Sequence, residues 1–212
     1  MGHRETLPRK SMSRKQMLKR VARFRKLKGS DGGLPDSRMP GCERTLYNVI
    51  GFQPPRVERG GKQSPVGLEA ARMAAIKISE GFNLAYCRAK PGKGPMFHNH
   101  DTNETFIAMS GTWRASWLNG KGKPEHVDLK PLDLISFPPG VIRRFQNVTR
   151  GPKTRDSILM VVIAGDTPSS EFTTESMREI ERAGAMRALG PPRAAKLRAI
   201  RRRKTGARRP SE

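Results

Sequence analysis

The segment between Gly81 and Asp166 is a series of short strand-like pieces, and this pattern constrains the fold more than any other feature of the chain. Pieces such as FNLAYCRA, ETFIAMSG, LDLISF and DSILMVVIAG are separated by turns rich in glycine, proline and asparagine. Short strands that follow one another with turn residues between them are typical of an all-β sandwich or barrel. We therefore predict an all-β domain over residues 31–168.

The two ends of the chain differ from this segment in composition and residue pattern. Residues 1–30 form a basic arm in which an apolar stripe runs at helical spacing between Met17 and Leu27. Such an arm suits a membrane surface or an acidic polymer, or it docks its stripe on the body or on a second subunit. Residues 169–190 begin with capping residues, so we predict a C-terminal helix there. Residues 191–212 read as a basic disordered tail.

The net charge of +23 belongs mostly to these ends. Residues 1–30 carry 11 Lys/Arg and one Glu, and residues 193–212 carry nine Lys/Arg and one Glu, so together they hold +18. Weak polyanion binding by the tails is therefore expected. A main function in nucleic-acid binding is disfavoured, because the sequence offers neither a groove-reading helix nor a platform of stacking aromatic residues.

Hydropathy and cysteine content indicate the compartment. The longest apolar run, Ile158 to Ala164, is too short to cross a bilayer, and the chain does not open on a secretory signal pattern. Two cysteines, Cys42 and Cys87, make no disulfide framework and suit a reducing environment. We expect a cytoplasmic protein with no membrane span.

Two of the four histidines lie one residue apart, at His98 and His100, and Glu104 follows after the turn-forming residues DTN. In a strand these two imidazoles point to the same face, and the returning strand brings Glu104 beside them. Two imidazoles and one carboxylate form the facial triad that suits Fe²⁺, and Mn²⁺, Ni²⁺, Zn²⁺ and Co²⁺ accept the same donors. The alternative is a hydrogen-bonded surface bend without an ion.

The surrounding spacing resembles the first motif of the cupin superfamily. Gly92 is followed by five residues, His98, one residue, His100, three residues, Glu104, six residues and Gly111. This resemblance implies a double-stranded β-helix, or jelly-roll, barrel with a site inside its mouth, and a metal held by the two histidines and the glutamate.

A second stretch, PPGVIRRFQN, resembles the second cupin motif, with Pro138, Gly140 and Asn147 at the family's spacing. Two positions depart from the pattern. Leu132 stands where the motif usually opens with glycine, and Arg143 stands where metal-binding members usually carry a fourth, histidine ligand. The resemblance covers residues 64–166 and excludes the two ends.

Arg143 cannot coordinate a metal, because its guanidinium stays protonated and has no acceptor lone pair. Three interpretations remain open from the sequence. Arg143 clamps an anionic group of a substrate beside a three-ligand metal; it pairs with Glu104 and replaces the metal; or it turns outward to the surface.

Two aromatic residues complete the predicted binding site. Phe106 shares the inward face of the Glu104 strand, and Trp113 either lines the pocket or belongs to the core. Ile107 and Met109, on the opposite face, are also apolar, which predicts that a helix or a second subunit covers this sheet; we expect a homodimer.

These features together predict a cupin-domain protein that binds a divalent metal, with Fe²⁺ favoured, and a small, anionic molecule inside the barrel. Such a site suits a dioxygenase-like oxidoreductase or another metal-dependent enzyme, such as an isomerase or lyase, although the sequence assigns no catalytic residue. The alternative is a metal-free, non-catalytic ligand-binding or sensory module.

Overall fold

The computed structural model describes residues 7–52, 64–151 and 155–185, and ten strands in these ranges form two sheets. The strands of sheet 1, numbered in chain order, are β1 (Thr45–Ile50), β2 (Phe82–Ala89), β4 (Glu104–Ala108), β7 (Leu134–Phe137) and β9 (Ser157–Ala164). The strands of sheet 2 are β3 (His98–His100), β5 (Trp113–Leu118), β6 (Pro124–Leu129), β8 (Arg143–Asn147) and β10 (Ser170–Phe172).

Both sheets have five strands, in the orders β1-β2-β9-β4-β7 and β10-β3-β8-β5-β6. All neighbouring strands in them are antiparallel. The chain crosses between the sheets repeatedly, so residues close in sequence contribute to opposite layers. The prediction of an all-β jelly roll is confirmed, and the architecture agrees with the resemblance to the cupin superfamily.

The core lies between the inner faces of the two sheets. In β2 and β9, which pair along their whole lengths, every second side chain is buried. Alternation of this kind places one face of each strand in the interior, where each large apolar side chain contributes about 1.5–3 kcal/mol. The central cluster includes Ala85, Cys87, Phe106, Trp113, Phe145, Leu159 and Ile163.

The described part of the N-terminal arm, residues 7–30, lies against the body, although not as the continuous helix that the spacing of its stripe suggests. Helix α1 (Arg14–Leu18) begins with a capping box between Ser13 and Gln16 and ends after five residues. A separate 3-10 turn at Phe24–Lys26 then places the Phe24 ring 5.6 Å from the rings of Tyr47 and Tyr86. Packing on these aromatic residues takes the place of helical continuation.

The structure describes two further α-helices. Helix α2 (Gly67–Ala71) precedes β2, and α3 (Thr174–Arg182) follows β10. Helix α3 lies inside the range 169–190 predicted as helical, while the residues just before it extend sheet 2 as β10; Thr173 caps the helix. The basic tail at 191–212 lies outside the described residues. None of the helices that the structure describes is long and apolar enough to cross a membrane.

The turn before β7 explains how the chain tolerates Leu132 at the usual glycine position. Leu132 has a φ of 77°, in the left-handed region that favours glycine, and its side chain is 78% exposed. Pro131 precedes it, as is common in type II turns, and the Leu132 N–H donates to the Ala108 carbonyl at 2.7 Å. The glycine-type backbone is therefore retained without the glycine.

Candidate metal centre

The bend between β3 and β4 brings together three side chains, from the two sheets, that could hold a metal ion. His98 and His100 lie on β3 of sheet 2, and Glu104 begins β4 of sheet 1. All three are buried. Their candidate ligand atoms lie within 4.8 Å of one another, which makes this cluster a potential metal site.

Each histidine ring is oriented by a hydrogen bond between its Nδ1 atom and a backbone carbonyl oxygen. His98 Nδ1 lies 2.9 Å from the Met96 carbonyl oxygen, and His100 Nδ1 lies 3.1 Å from that of Ser169. Because a carbonyl oxygen only accepts, both Nδ1 atoms carry the hydrogen, and in the neutral rings the lone pair is on Nε2. Histidine ligands of metals are held in this way, which fixes their tautomer and direction.

The histidines are neutral over the physiological pH range. Burial, together with the neighbouring His100, lowers the pKa of His98 to about 4. Burial also lowers the pKa of His100 to about 3, with a second contribution from the positive charge of Arg143. A neutral imidazole is the form that coordinates a metal, so few protons compete with an ion at pH 7.

Glu104 contacts both a histidine and the guanidinium of Arg143. Its Oε2 lies 3.5 Å from His100 Nε2 and accepts a hydrogen bond from Arg143 Nε at 2.9 Å. Arg143 also donates through Nη1 to the Val141 carbonyl oxygen at 2.7 Å. Arg143 is fully buried, and its Nη2 has no hydrogen-bond partner among the residues that the structure describes.

This pairing does not exclude a metal ion from Glu104. An ionised carboxylate has about four lone-pair sites, and the bond from Arg143 uses one of them. Two neutral imidazoles and the remaining lone pairs of one carboxylate form a donor set that fits a divalent transition-metal ion. The outward orientation considered for Arg143 is wrong, because its side chain is buried inside the barrel.

A cavity lies beside the three side chains, and two residues that sequence analysis missed line it. Arg44 and Phe52 reach it from the segment around β1, together with His98, His100 and Glu104. Arg44 forms a buried ion pair with an aspartate eight positions earlier, at 2.8 Å. In the sequence, Arg44 is marked by nothing more than a positive charge next to a strand-like piece, and no motif connects it with its aspartate partner.

The two predicted aromatic contacts lie deeper in the core than this cavity. Phe106 packs edge-on against Phe137 and Phe145, with ring centroids 5.5 Å and 5.0 Å away. Trp113 is fully buried next to Phe145 and donates from Nε1 to the Ser110 carbonyl oxygen at 3.0 Å. Neither ring lines the cavity, and a role for them in substrate binding stays a prediction.

The cysteines do not have the properties of nucleophiles. Burial raises the pKa of Cys42 to about 11 and that of Cys87 to about 12, so both remain thiols at neutral pH. Cys87 instead packs in the core cluster.

No family model matches the chain, and no curated protein matches it in sequence. Similar solved structures include an oxalate oxidase, with 18% identity, TM-score 0.39 and coverage of 44% of this chain and 46% of that one. A variant of oxalate decarboxylase from Bacillus subtilis has 17% identity, TM-score 0.43 and coverage of 68% and 28%. Vicilin from hazelnut, Corylus avellana, has 13% identity, TM-score 0.47 and coverage of 73% and 36%. The chain matches less than half the length of each.

Proposed function

We propose that this jelly-roll protein with cupin motifs binds a divalent metal ion through His98, His100 and Glu104, and a small anionic molecule beside the ion. One observation carries the proposal: two buried imidazoles, each with its Nδ1 hydrogen committed to a carbonyl oxygen, converge with a buried carboxylate. A surface bend without an ion needs none of this orientation.

The donor set favours Fe²⁺, with Mn²⁺, Ni²⁺, Zn²⁺ and Co²⁺ as substitutes. A bound ion with open positions supplies either oxygen-dependent oxidation, as in a dioxygenase, or Lewis-acid chemistry, as in an isomerase or lyase. The protein's own part is to hold the imidazoles neutral and to fix the Glu104 carboxylate through Arg143. We therefore place the protein among metal-dependent enzymes acting on a bound small molecule.

Charge balance supports an anionic ligand. A divalent ion next to Arg143 and Glu104 leaves an excess of two positive charges in a buried site, which is unfavourable without a counterion. The Arg143 Nη2 hydrogens, which lack an acceptor among the described residues, add donor capacity close to the ion. A carboxylate supplies both the negative charge and the acceptor, since it coordinates metals and accepts hydrogen bonds from guanidinium groups.

The test is elemental analysis of untagged protein by mass spectrometry. We expect about one equivalent of a transition metal per chain, with Fe²⁺ retained under anaerobic purification. The metal should be lost in His98→Ala and in Glu104→Ala, and retained in His126→Ala, whose histidine lies on the exposed strand β6. Metal content that is equal in all four proteins, or absent from the unaltered one, contradicts the proposal.

The hydrogen bond between Arg143 and Glu104 favours a second candidate, a metal-free ligand-binding or sensory module. In that case the Arg143 guanidinium, in place of a metal ion, binds the anion. Purified protein then contains no metal, still binds a small anion, and loses that binding in Arg143→Ala. Metal analysis and anion binding on the same sample separate the two candidates.

We also propose that the protein is a homodimer that uses the outer face of sheet 1. Leu134, which pairs with Ile107, is 60% exposed there, and Leu132 and Met109 lie beside it at the same end. Exposed apolar side chains in a group mark contact surfaces. Light scattering after gel filtration should give twice the chain mass, and Leu134→Asp should give a monomer; a monomer from the unaltered protein refutes the dimer.

A further inference from the structure

The cavity beside the proposed metal site has walls that are almost entirely apolar. The side chains of Phe52, Val66, Ala85, Val161 and Ile163 form much of its surface. Within the described part of the chain, the polar residues that line it besides the three proposed metal ligands are Arg44 and Ser170. A ligand in this space therefore meets polar groups at one end and hydrocarbon along the rest of its surface.

Phe52 is held in this wall by an unusual backbone conformation. Its φ is 45°, which is strained for a side chain with a Cβ atom, and it follows Gly51 with a φ of 74°. Asn83 fixes the conformation by accepting the Phe52 N–H, and the Asn48 amide donates to the Gly51 carbonyl oxygen at 3.0 Å. The side chains of two buried asparagines, Asn48 and Asn83, therefore hold the Phe52 ring at the cavity.

The charge of the nearby guanidinium is already balanced. Arg44 lines the cavity, but its Nη2 donates to Asp36 at 2.8 Å and its Nη1 to the Cys42 carbonyl oxygen at 2.7 Å. Asp36 and Arg44 are both buried, so they neutralise each other inside the wall. The remaining polar lining residue, Ser170, carries no charge. Among the described lining residues, a second anionic group placed away from the metal ligands therefore meets no cation that lacks a partner of its own.

From these walls we infer that the anionic molecule is a short aliphatic monocarboxylate whose hydrocarbon part packs against Phe52, Val66 and Val161. This inference rests on the proposed function, since the carboxylate end is placed at the metal. The cavity volume of about 40 Å³ holds about three water molecules and so limits the ligand to about two to four carbon atoms. The same walls disfavour sugars and those diacids whose second carboxylate would lie away from the metal.

The test is a titration series on the Zn²⁺-loaded protein, followed by NMR because Zn²⁺ is diamagnetic. The ligands are acetate, propionate, butyrate, hexanoate and succinate. Affinity should rise about fourfold for each methylene group from acetate to butyrate and fall for hexanoate, which exceeds the cavity. Succinate has the same carbon number as butyrate and should bind at least about tenfold more weakly, because its second carboxylate is buried without a partner.

Two variants change the wall and leave the metal ligands untouched. Ala85→Leu fills the cavity and should abolish the preference for butyrate over acetate. Val161→Thr keeps the side-chain volume, introduces a hydroxyl group and should weaken butyrate binding several-fold. This second variant tests the wall even if the larger side chain of Ala85→Leu impairs folding. Val127→Ser, on the exposed strand β6, is the matched control and should bind like the unaltered protein.

Metal content, measured on the same samples, separates the two proposals. Stoichiometric metal with equal affinities across the series, or with succinate binding as tightly as butyrate, overturns the inference and leaves the metal site standing. Absence of metal overturns the proposed function. A rise from acetate to butyrate that persists in metal-free protein, and disappears in Ala85→Leu, supports the cavity assignment independently of the ion.

Discussion

Replacing Arg143 with methionine tests whether Glu104 needs a positive partner inside the barrel. Arg143 is fully buried and Glu104 is 3% exposed, with 2.9 Å between Nε and Oε2. Removing one member of a buried ion pair typically costs about 3–5 kcal/mol, because the other charge remains in the interior. Loss of the hydrogen bond to the Val141 carbonyl oxygen adds about 1 kcal/mol. We therefore expect Arg143→Met to lower the free energy of unfolding of the metal-free protein by about 4–6 kcal/mol.

A divalent ion should reverse much of this loss, because it replaces the guanidinium as the positive partner of Glu104. In the unaltered protein, free metal at 100 times its dissociation constant adds about 2.7 kcal/mol. In Arg143→Met the added stability should be larger, since the ion no longer faces a buried positive charge. Each tenfold gain in affinity adds about 1.4 kcal/mol at the same metal concentration.

The assay is urea unfolding at pH 7.5, with a chelator or with Zn²⁺. Arg114→Met is the matched control, because Arg114 makes a two-bond pair with Asp128 at 2.7 and 2.9 Å on the exposed surface. That variant should lose less than about 1 kcal/mol, with or without metal. The expected role of the ion pair is refuted if the free energy of unfolding of metal-free Arg143→Met lies within about 1 kcal/mol of that of the unaltered protein. It is also refuted if Zn²⁺ stabilises the variant no more than the unaltered chain.

Three further predictions concern stability. His98 and His100 have folded-state pKa values of about 4 and about 3, below the unfolded value near 6.5, so the unfolded chain binds protons first. In urea unfolding of the metal-free protein, the free energy of unfolding should therefore fall between about pH 6.5 and pH 4, by up to about 1.4 kcal/mol per pH unit for each histidine. His98→Asn should reduce this slope. Asp36→Asn leaves the buried Arg44 charge without its partner and should cost about 3–5 kcal/mol in the same assay at pH 7.5. Leu132→Gly relieves the positive φ in an exposed turn and should raise the melting temperature, by an amount equivalent to about 0.5–1 kcal/mol; a lowered melting temperature contradicts the strain.

The strands and the convergence of the three candidate metal ligands could be predicted because their signals are local. Alternation places His98 and His100 on one face, and the turn residues before Glu104 reverse the chain. The glycines that bracket the motif, Gly92 and Gly111, both adopt positive φ angles, 83° and 71°, which explains their fixed places in the spacing.

Other parts of the site could not be predicted because they depend on contacts between distant residues. Asp36 accepts from the N–H of Met96, 60 positions later, and pairs with Arg44; no periodicity connects these three residues. Phe52 lies at the cavity because Asn83, 31 positions later, fixes its backbone. In the N-terminal arm, apolar spacing indicated a helix, but the contact of Phe24 with two tyrosine rings determines the observed path.

The division of the three candidate ligands between the layers has a consequence for the lifetime of the protein. His98 and His100 belong to sheet 2 and Glu104 to sheet 1, so an ion bound by all three links the two sheets through its coordination bonds. The layers cannot then separate at that end without first breaking a coordination bond. Amide exchange and proteolytic cleavage that require such opening should slow when the ion is present. The supply of metal in the cell would in this way govern how long each molecule survives, in addition to what it binds.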